Sequence, residues 1–381
     1  MLFFCSAFDF SKNPPQPLLS CLFDDEVRKP ELLDVYGGKG LLRSASTNKQ
    51  KICDLVKDRE VVILDCKAHF DSFDLLPKEC WEASPTMHVQ GRNLSSLELK
   101  KTLLKCMSVI TKMNGGPAFW RKTVADAAVI YAKLQKRRLT SNGAFVHPIY
   151  HLDTFSGRSR VTGFPLQSVG AEANLAPESD FDYFLHFDWL SADMRMAAVL
   201  SEDEDLAASF LNSDPYTNLS KMLQLPRDEC KISLLAAIYS LSLDAPILSC
   251  HPKFKQWMAE TVEKIQSDGY ADSVLGRRFH VVEGGSDDRT VFNAVIQGSV
   301  AHAMHLVLKK VFASRAANVF TELQDAPVLT VRRDEVGEVV EEVVEAMLHP
   351  FEGVLDGEHV FPVRVSIGKH WRKWRRFKTF R

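Results

Sequence analysis

Polar and apolar positions change period several times along the 381 residues. Over residues 1–90, short apolar runs such as Val61-Val62-Ile63-Leu64 alternate with Pro- and Gly-containing breaks, which predicts a small α/β unit. Ser95-x-x-Glu98 is a capping-box pattern and opens a helix that runs to the break Asn114-Gly115-Gly116-Pro117. A second helix is predicted from about Phe119 to Arg138. From His147 to about Gln167 the pattern is one of strands and turns, and a further strand ends at Asp188. The next segment, with Met194, Ala197, Ala198 and Leu200 apolar, is helical, and helices come after it at about 227–240, 252–268 and 288–312. A hairpin around Arg333-Asp334, an acidic amphipathic helix from Glu338 to Leu348 and a strand over Phe361–Ile367 complete the pattern. There is no internal repeat. The expected class is α+β.

Composition narrows the setting. Apolar residues make up 45% and charged residues 25%, as in an ordinary globular chain. Net charge is only −2, so any nucleic-acid footprint has to come from local patches. Two exist: a run from Lys100 to Arg138 with ten cations, and the last thirteen residues, with seven cations and no acid. The eight cysteines are scattered without a C-x-x-C pair, which argues against structural zinc and a disulfide framework. No run reaches the roughly 18 apolar residues of a membrane span, and Met1-Leu2-Phe3-Phe4-Cys5 lacks a basic flank. The expectation is a soluble intracellular protein without a membrane partner, cytoplasm and organelle being undistinguished.

Asp188 closes the apolar segment Phe184–Phe187, and Asp334-Glu335 closes another, 146 residues later. Taken singly, the first is a helix cap and the second the acids of a turn. Taken together they suit divalent metal: Mg²⁺ is usually held by one or two carboxylates plus substrate phosphates, and two such ions clamp an in-line phosphoryl transfer. That reading requires the two strands to be neighbours in one sheet. Side chains alternate along a strand, so Asp334 is the better ligand and Glu335 auxiliary. Arg227, Lys231, Leu235 and Tyr239 repeat at i+4 and share one helix face, as do Arg289, Asn293 and Gln297. The first face is either solvated or a triphosphate grip, with Lys231 also placed to protonate pyrophosphate. The amides of the second suit minor-groove acceptors, which every base pair carries.

The ordered motifs over about 147–371 resemble the family A (polymerase-I-like) DNA polymerases. Thr154-Phe155-Ser156-Gly157-Arg158 with Pro165-Leu166-Gln167 is similar to T-x-T-G-R…P-N-L-Q, and Asp188-Trp189-Leu190-Ser191-Ala192-Asp193-Met194-Arg195 to D-Y-S-Q-I-E-L-R. Asp214-Pro215-Tyr216 stands for D-x-H, and the Arg227–Tyr239 helix for R-x-x-x-K-x-x-x-F/Y-x-x-x-Y-G. Gly269-Tyr270…Gly276-Arg277-Arg278 resembles G-Y…G-R-R, and Phe292-Asn293…Gln297-Gly298-Ser299 resembles F-N-x-P-x-Q-G-T. Val331–Glu335 sits in the place of V-H-D-E, and Ile367-Gly368-Lys369-His370-Trp371 in that of the terminal I-G-x-x-W.

The resemblance implies a right-hand polymerase: a degenerate exonuclease-like region at 1–92, thumb at 93–145, palm at 146–220 and 286–381 with a basic tail, and fingers at 221–285. It implies DNA-directed addition of dNTPs to a primer 3′ end with two Mg²⁺ ions, Mn²⁺ substituting, on Asp188 and Asp334. Nucleotide contacts are implied for Arg227, Lys231, Leu235, Tyr239, Asp193 and Tyr216. Primer-template contacts are implied for Arg158, Gln167, Arg277, Arg289, Asn293, Gln297 and Arg333. A replisome or processivity partner is compatible with this. Leu235 in place of an aromatic residue and Asp193 in place of Glu leave a relaxed or RNA-synthesising palm polymerase as an alternative, and a non-catalytic primer-template-binding replisome subunit is another. Phe23-Asp24-Asp25-Glu26 fits the exonuclease F-D-x-E, and His69 to Asp74 fits its second motif faintly, but no Y-x-x-x-D comes after them in the expected region. The aromatic-cationic tail Lys369–Arg381 is open to phosphate attraction with base stacking, partner docking or a solvated terminus.

Overall fold

The computed structural model describes the strand segments 2–9, 16–24, 41–43, 60–63 and 79–82, and residues 119–381 apart from 138, 153, 177–179, 213–214 and 282–285. The chain divides into two compact units, residues 1–137 with 150–157, and residues 138–149 with 158–381.

In the first unit, β1 (Leu2–Asp9), β2 (Gln16–Asp24), β3 (Leu41–Arg43), β4 (Glu60–Ile63) and β5 (Glu79–Glu82) form one sheet in the order β3-β2-β1-β4-β5. β1 is antiparallel to β2 and parallel to β4, and β4 is parallel to β5, so the sheet is mixed. Parallel neighbours need crossover connections, and those segments lie outside the described residues. So do the helix read from Ser95 to Asn114, Asp25, Glu26 and the His69–Asp74 motif. Asp24 ends β2 opposite Leu2, where β1 begins. The second predicted helix is observed as α1 (Phe119–Gln135). It buries Trp120, Val124, Ala127, Ala128, Tyr131 and Leu134 at helical spacing, with the Tyr131 ring 5.4 Å from that of Tyr150.

The second unit opens with β6 (Leu139–Ser141) and β7 (Ala144–Val146), paired across Asn142-Gly143. Both turn residues have positive φ (49° and 79°), which tight hairpins favour and which Asn and Gly tolerate best. Next come the short strands β8 (Pro148–His151), of which residues 150 and 151 belong to the first unit, and β9 (Arg160–Gly163), then β10 (Tyr183–Trp189). Five helices succeed them: α2 (Ala192–Leu200), α3 (Glu204–Asn212), α4 (Pro215–Leu223), α5 (Arg227–Ser240) and α6 (Pro252–Asp268). After the small ribbon β11 (Tyr270–Asp272) and β12 (Arg278–His280) come α7 (Asp288–Arg315), β13 (Val319–Glu322), β14 (Pro327–Val331), α8 (Val336–Leu348), β15 (Val363–Gly368) and β16 (Arg375–Phe380).

β13-β14-β10-β15-β16 form a wholly antiparallel sheet. β10 is its middle strand and buries Leu185, Phe187 and Trp189, whose indole donates to Met347 O on α8 at 2.9 Å. Helices α7 and α8 pack on this sheet, while His186 and Asp188 alternate onto the other face. The α+β expectation holds. α7 is buried on every side from Gly298 to Leu308, as a central core helix must be. By length and composition it would pass for a membrane span, a feature the apolar-run test on the sequence missed, yet 89% of its apolar window lies inside the fold. Its N-terminus is capped by Asp287, whose carboxylate accepts from Thr290 N at 2.8 Å.

α7 also carries His302 and His305 fully buried, beside the equally buried Arg277. Burial pushes both imidazoles down, His305 to about 3, and the Arg277 charge adds to it. Both are therefore neutral when folded but take protons when unfolded. The stability they contribute is complete above the unfolded value of 6.5 and is lost as pH falls towards the folded values. The urea midpoint is expected to drop between pH 7.5 and pH 5, and to drop less in His302→Gln/His305→Gln. A midpoint level across that range in the wild type counts against this assignment.

Candidate nucleotide-transfer site

Asp188 stands near the end of β10, opposite Arg364 of β15, and the pairing brings their side chains together: Arg364 Nη2 donates to Asp188 Oδ2 at 2.7 Å. On the other side of β10, the turn between β13 and β14 presents Asp325. Leu323 N donates to Ala326 O at 2.8 Å to close that turn, and Gln324 adopts φ 65° within it. Asp193 comes from the first turn of α2, just after Ser191 at φ 59° redirects the chain. Arg158 bridges the last two, its Nη2 lying 2.8 Å from Asp193 and 3.3 Å from Asp325. Tyr239 of α5 donates its hydroxyl to Asp193. Burial, then the Asp193 charge, pushes that phenol well above its ordinary value, so it stays a donor.

Asp188, Asp193 and Asp325 line one cleft of about 560 Å³ with Arg227, Lys231 and Leu235 from α5. Arg227 and Lys231 lie over the buried Tyr216 ring, 5.5 and 5.8 Å from its centroid, so the aromatic face positions both cations. Asp325 is a strongly perturbed carboxyl. Burial pushes it up to about 6; the Arg158 charge pulls it down, and those of Asp193 and Asp188 push it further up. Its Oδ1 is buried with no hydrogen-bond partner among the described residues. Two carboxylates that repel one another, one with an acceptor oxygen unspent, form a donor set that fits a hard divalent cation. Among the described residues no group of three or more His, Cys, Asp and Glu side chains gathers for a metal, and Mg²⁺ held partly by substrate phosphates needs no such group.

Asp334 is not in this cleft. The register pairs Tyr183 with Val331 and His186 with Val328, so β14 runs away from Asp188 as it approaches Asp334. Five residues of strand separate Asp188 from the level of Val331, roughly 16 Å at about 3.3 Å each. Beyond Val331 the chain makes a 3-10 turn, Arg333–Glu335, leading into α8, in place of the expected hairpin. Asp334 is exposed beside Arg332, and Glu335 is held by the Arg332 guanidinium at 2.6 Å. Arg333 is likewise at the far end, its backbone N donating to Asp182 at 2.8 Å and its guanidinium to the Tyr183 hydroxyl at 3.3 Å. The expectation that Asp334 would meet Asp188, with Glu335 auxiliary and Arg333 on the primer-template beside them, is therefore corrected, and Asp325 is the carboxylate the sheet brings there.

The remaining predicted residues divide. Gln167 spends its amide on Ser159 O, Ser159 Oγ and Val161 N, bracing its own loop. Arg277 is 4% exposed and stacks on Phe279, so it offers no surface to DNA. Asn293 donates to Tyr239 O at 3.3 Å and Gln297 bonds the Tyr239 hydroxyl, which ties both amides to the tyrosine that holds Asp193. Arg289 is exposed beside Asp287. The tail is no loose terminus: it is β16, paired along β15.

No protein-family model matches the chain. It is 25% identical over 222 residues to the thermostable DNA polymerase I of Thermus aquaticus, covering 48% of this chain and 26% of that one. It is 29% identical over 134 residues to that of Thermus filiformis (32% and 15%) and 24% over 164 residues to DNA polymerase I of Borreliella burgdorferi (34% and 18%). The chain thus spans about a quarter or less of these relatives. The POL domain of Pol1 from M. smegmatis, solved with DNA primer-template and dNTP, superposes with a TM-score of 0.61 over 97% of this chain and 95% of that one, at 13% identity. The fold is that of a DNA polymerase I polymerase domain. The family A resemblance stands. Leu323-Gln324-Asp325-Ala326 makes the turn between β13 and β14 that presents Asp325. A signal existed: a polar Gln-Asp break between the apolar runs Val319-Phe320 and Val328–Val331 reads as a hairpin turn.

Proposed function

We propose that this chain adds dNTPs to a primer 3′ end on a DNA template. The observation that carries the reading is one cleft uniting Asp188 and Asp325 with the cationic face of α5. Residues 146–220 and 286–381 form the palm, 221–285 the fingers and 93–145 the thumb, with 1–92 a reduced exonuclease-like region. Asp188 and Asp325 would hold Mg²⁺, or Mn²⁺ in its place. When bound, such ions acidify the primer hydroxyl and offset phosphate charge.

The protein's own groups do the positioning. Arg227 and Lys231 take the β- and γ-phosphates, aligning the α-phosphorus with the primer 3′ oxygen. That oxygen gives its proton to solvent and forms the new bond as the bond to the pyrophosphate oxygen breaks, and the Lys231 ammonium gives the leaving group a proton. Leu235 and Tyr239 border the incoming sugar and base. Arg158 bonds both Asp193 and Asp325, so these carboxylates enter the reaction already positioned. Primer extension by the purified chain with Mg²⁺ or Mn²⁺ and dNTPs tests the reading. No extension with either metal, from a chain that binds primer-template, would favour the replisome-subunit alternative.

A further inference from the structure

β16 lies beyond the last motif shared with family A, and it and the residue after it, Arg381, supply two of the five cations that line the cleft. Its position is fixed from three sides. Trp371, just before it, is fully buried against Phe184 and Phe320, each 5.8 Å away between centroids. Trp374 stacks on His186 of β10 at 4.5 Å, and Arg372 donates to Gln167 O at 2.8 Å. The register then sets Thr379 opposite Arg364, which is itself opposite Asp188. Asp188, Arg364 and Thr379 therefore form one row across three strands, and two inter-strand steps of about 4.8 Å put Thr379 about 10 Å from Asp188. Arg376 Nη2 donates to Thr379 Oγ1 at 2.7 Å, and Arg381 lies two positions further along the same face.

The charges on this row are unequal in what they already do. Arg364 is spent on Asp188 and Arg158 on Asp193 and Asp325. Arg376 makes no ion pair among the described residues; its one contact is a neutral hydroxyl that orients the guanidinium without neutralising it. Two guanidiniums flanking a hydroxyl, on the edge strand and the residue that follows it, make a site for a phosphate, whose oxygens match the guanidinium fork. Arg227 and Lys231 form a separate cationic group on a helix, so the triphosphate has its own grip.

Resting on the polymerase reading, we propose that Arg376, Thr379 and Arg381 bind a backbone phosphodiester of the primer strand next to its reacting end. The edge strand then acts as a clamp that the family motifs do not encode. The same phosphate chemistry could come from the incoming nucleotide, and the experiment separates the two.

Primer-template affinity is measured by fluorescence anisotropy over a salt series, without nucleotide, for wild type, Arg376→Gln/Arg381→Gln, and the control Arg375→Gln/Lys378→Gln, which removes equal charge from β16 outside the cleft lining. The cleft pair is expected to weaken binding several-fold and to flatten the log–log salt slope by about 0.9 per lost phosphate contact, with nucleotide affinity in single-turnover insertion unchanged. An unaltered slope overturns the proposal, and so does an equal change in the control pair. Weaker nucleotide binding with unchanged DNA affinity also overturns it, assigning the site to the triphosphate. Should the double variant fold poorly, wild type is probed with primers bearing one neutral methylphosphonate at successive positions near the 3′ end. A penalty confined to one position supports the clamp, and a uniform response refutes it. Binding is read without catalysis, so a chain that binds in this way but never extends a primer overturns the synthesis reading alone.

Discussion

Replacing Asp325 with alanine is expected to abolish primer extension, while Asp334→Ala leaves it near the wild-type rate. Asp188→Ala should behave as Asp325→Ala does, and Glu335→Ala as Asp334→Ala does. The reason is the sheet register: Asp188 and Asp325 line one cleft, whereas Asp334 stands at the other end of β14 in solvent. Losing one of two carboxylates that would hold the metal removes several kcal/mol of charge stabilisation, roughly a thousandfold in rate. Single-turnover insertion on a matched primer-template measures it. Strong loss in Asp334→Ala with normal Asp325→Ala would restore Asp334 as the ligand and sink Asp325.

The same carboxyl gives a stability readout independent of activity. Its folded value, about 6, lies above the ordinary 3.8. Below about pH 4 both folded and unfolded forms hold the proton and nothing is lost. Between about 4 and 6 the unfolded chain sheds it first, so stability falls as pH rises, and the full penalty applies above 6. About a quarter of the side chain still meets solvent, so the penalty is at most about 3 kcal/mol. Metal-free Asp325→Asn should therefore unfold at a higher temperature than wild type at pH 7.5, with the gain vanishing near pH 4. A variant less stable than wild type at both pH values would mean that the Arg158 contact outweighs burial.

The second large effect concerns sugar choice. Wild type is expected to insert ribonucleotides measurably, more so with Mn²⁺, and Asp193→Glu to suppress this by up to about a hundredfold. Leu235 offers the incoming nucleotide no ring face, and Asp193 is one methylene shorter than the family's Glu. Asp193 is also not free to swing towards the sugar: Arg158 and Tyr239 hold its carboxylate from two sides. A 2′-hydroxyl thus meets a gap rather than a wall. Where a wall does stand, small displacements of the α-phosphate from in-line geometry cost about 10²-fold. Leu235→Tyr should tighten dNTP use by restoring a stacking surface. Insertion kinetics with matched dNTP and rNTP pairs decide the matter; equal rejection of rNTPs by wild type and Asp193→Glu would refute the relaxed gate.

Much of this architecture can be read from local pattern. The helices Arg227–Ser240, Pro252–Asp268 and Val336–Leu348 match the predicted spans because periodicity and end signals are properties of a dozen neighbouring residues. The i+4 spacing of Arg227, Lys231, Leu235 and Tyr239 places them on one face before any fold is known, and three of them line the cleft while Tyr239 bonds Asp193 from its edge. Which acid faces Asp188 was beyond the reach of local pattern. Asp334-Glu335 has the better local motif, an apolar strand and then paired carboxylates, whereas Asp325 sits between Gln and Ala. The choice belongs to strand pairing, a contact between residues more than a hundred positions apart. Turning the chain at Gln324-Asp325 rather than at Arg333-Asp334 exchanges one end of the sheet for the other. The same holds for the tail. Its alternation of cations and aromatics left three readings open, and only the burial of Trp371 and the pairing of β16 with β15 fixed which side chains reach the cleft. Local sequence determined which elements form and which faces carry charge; the tertiary register decided which charges meet, because pairing energy is collected only when distant segments are already side by side.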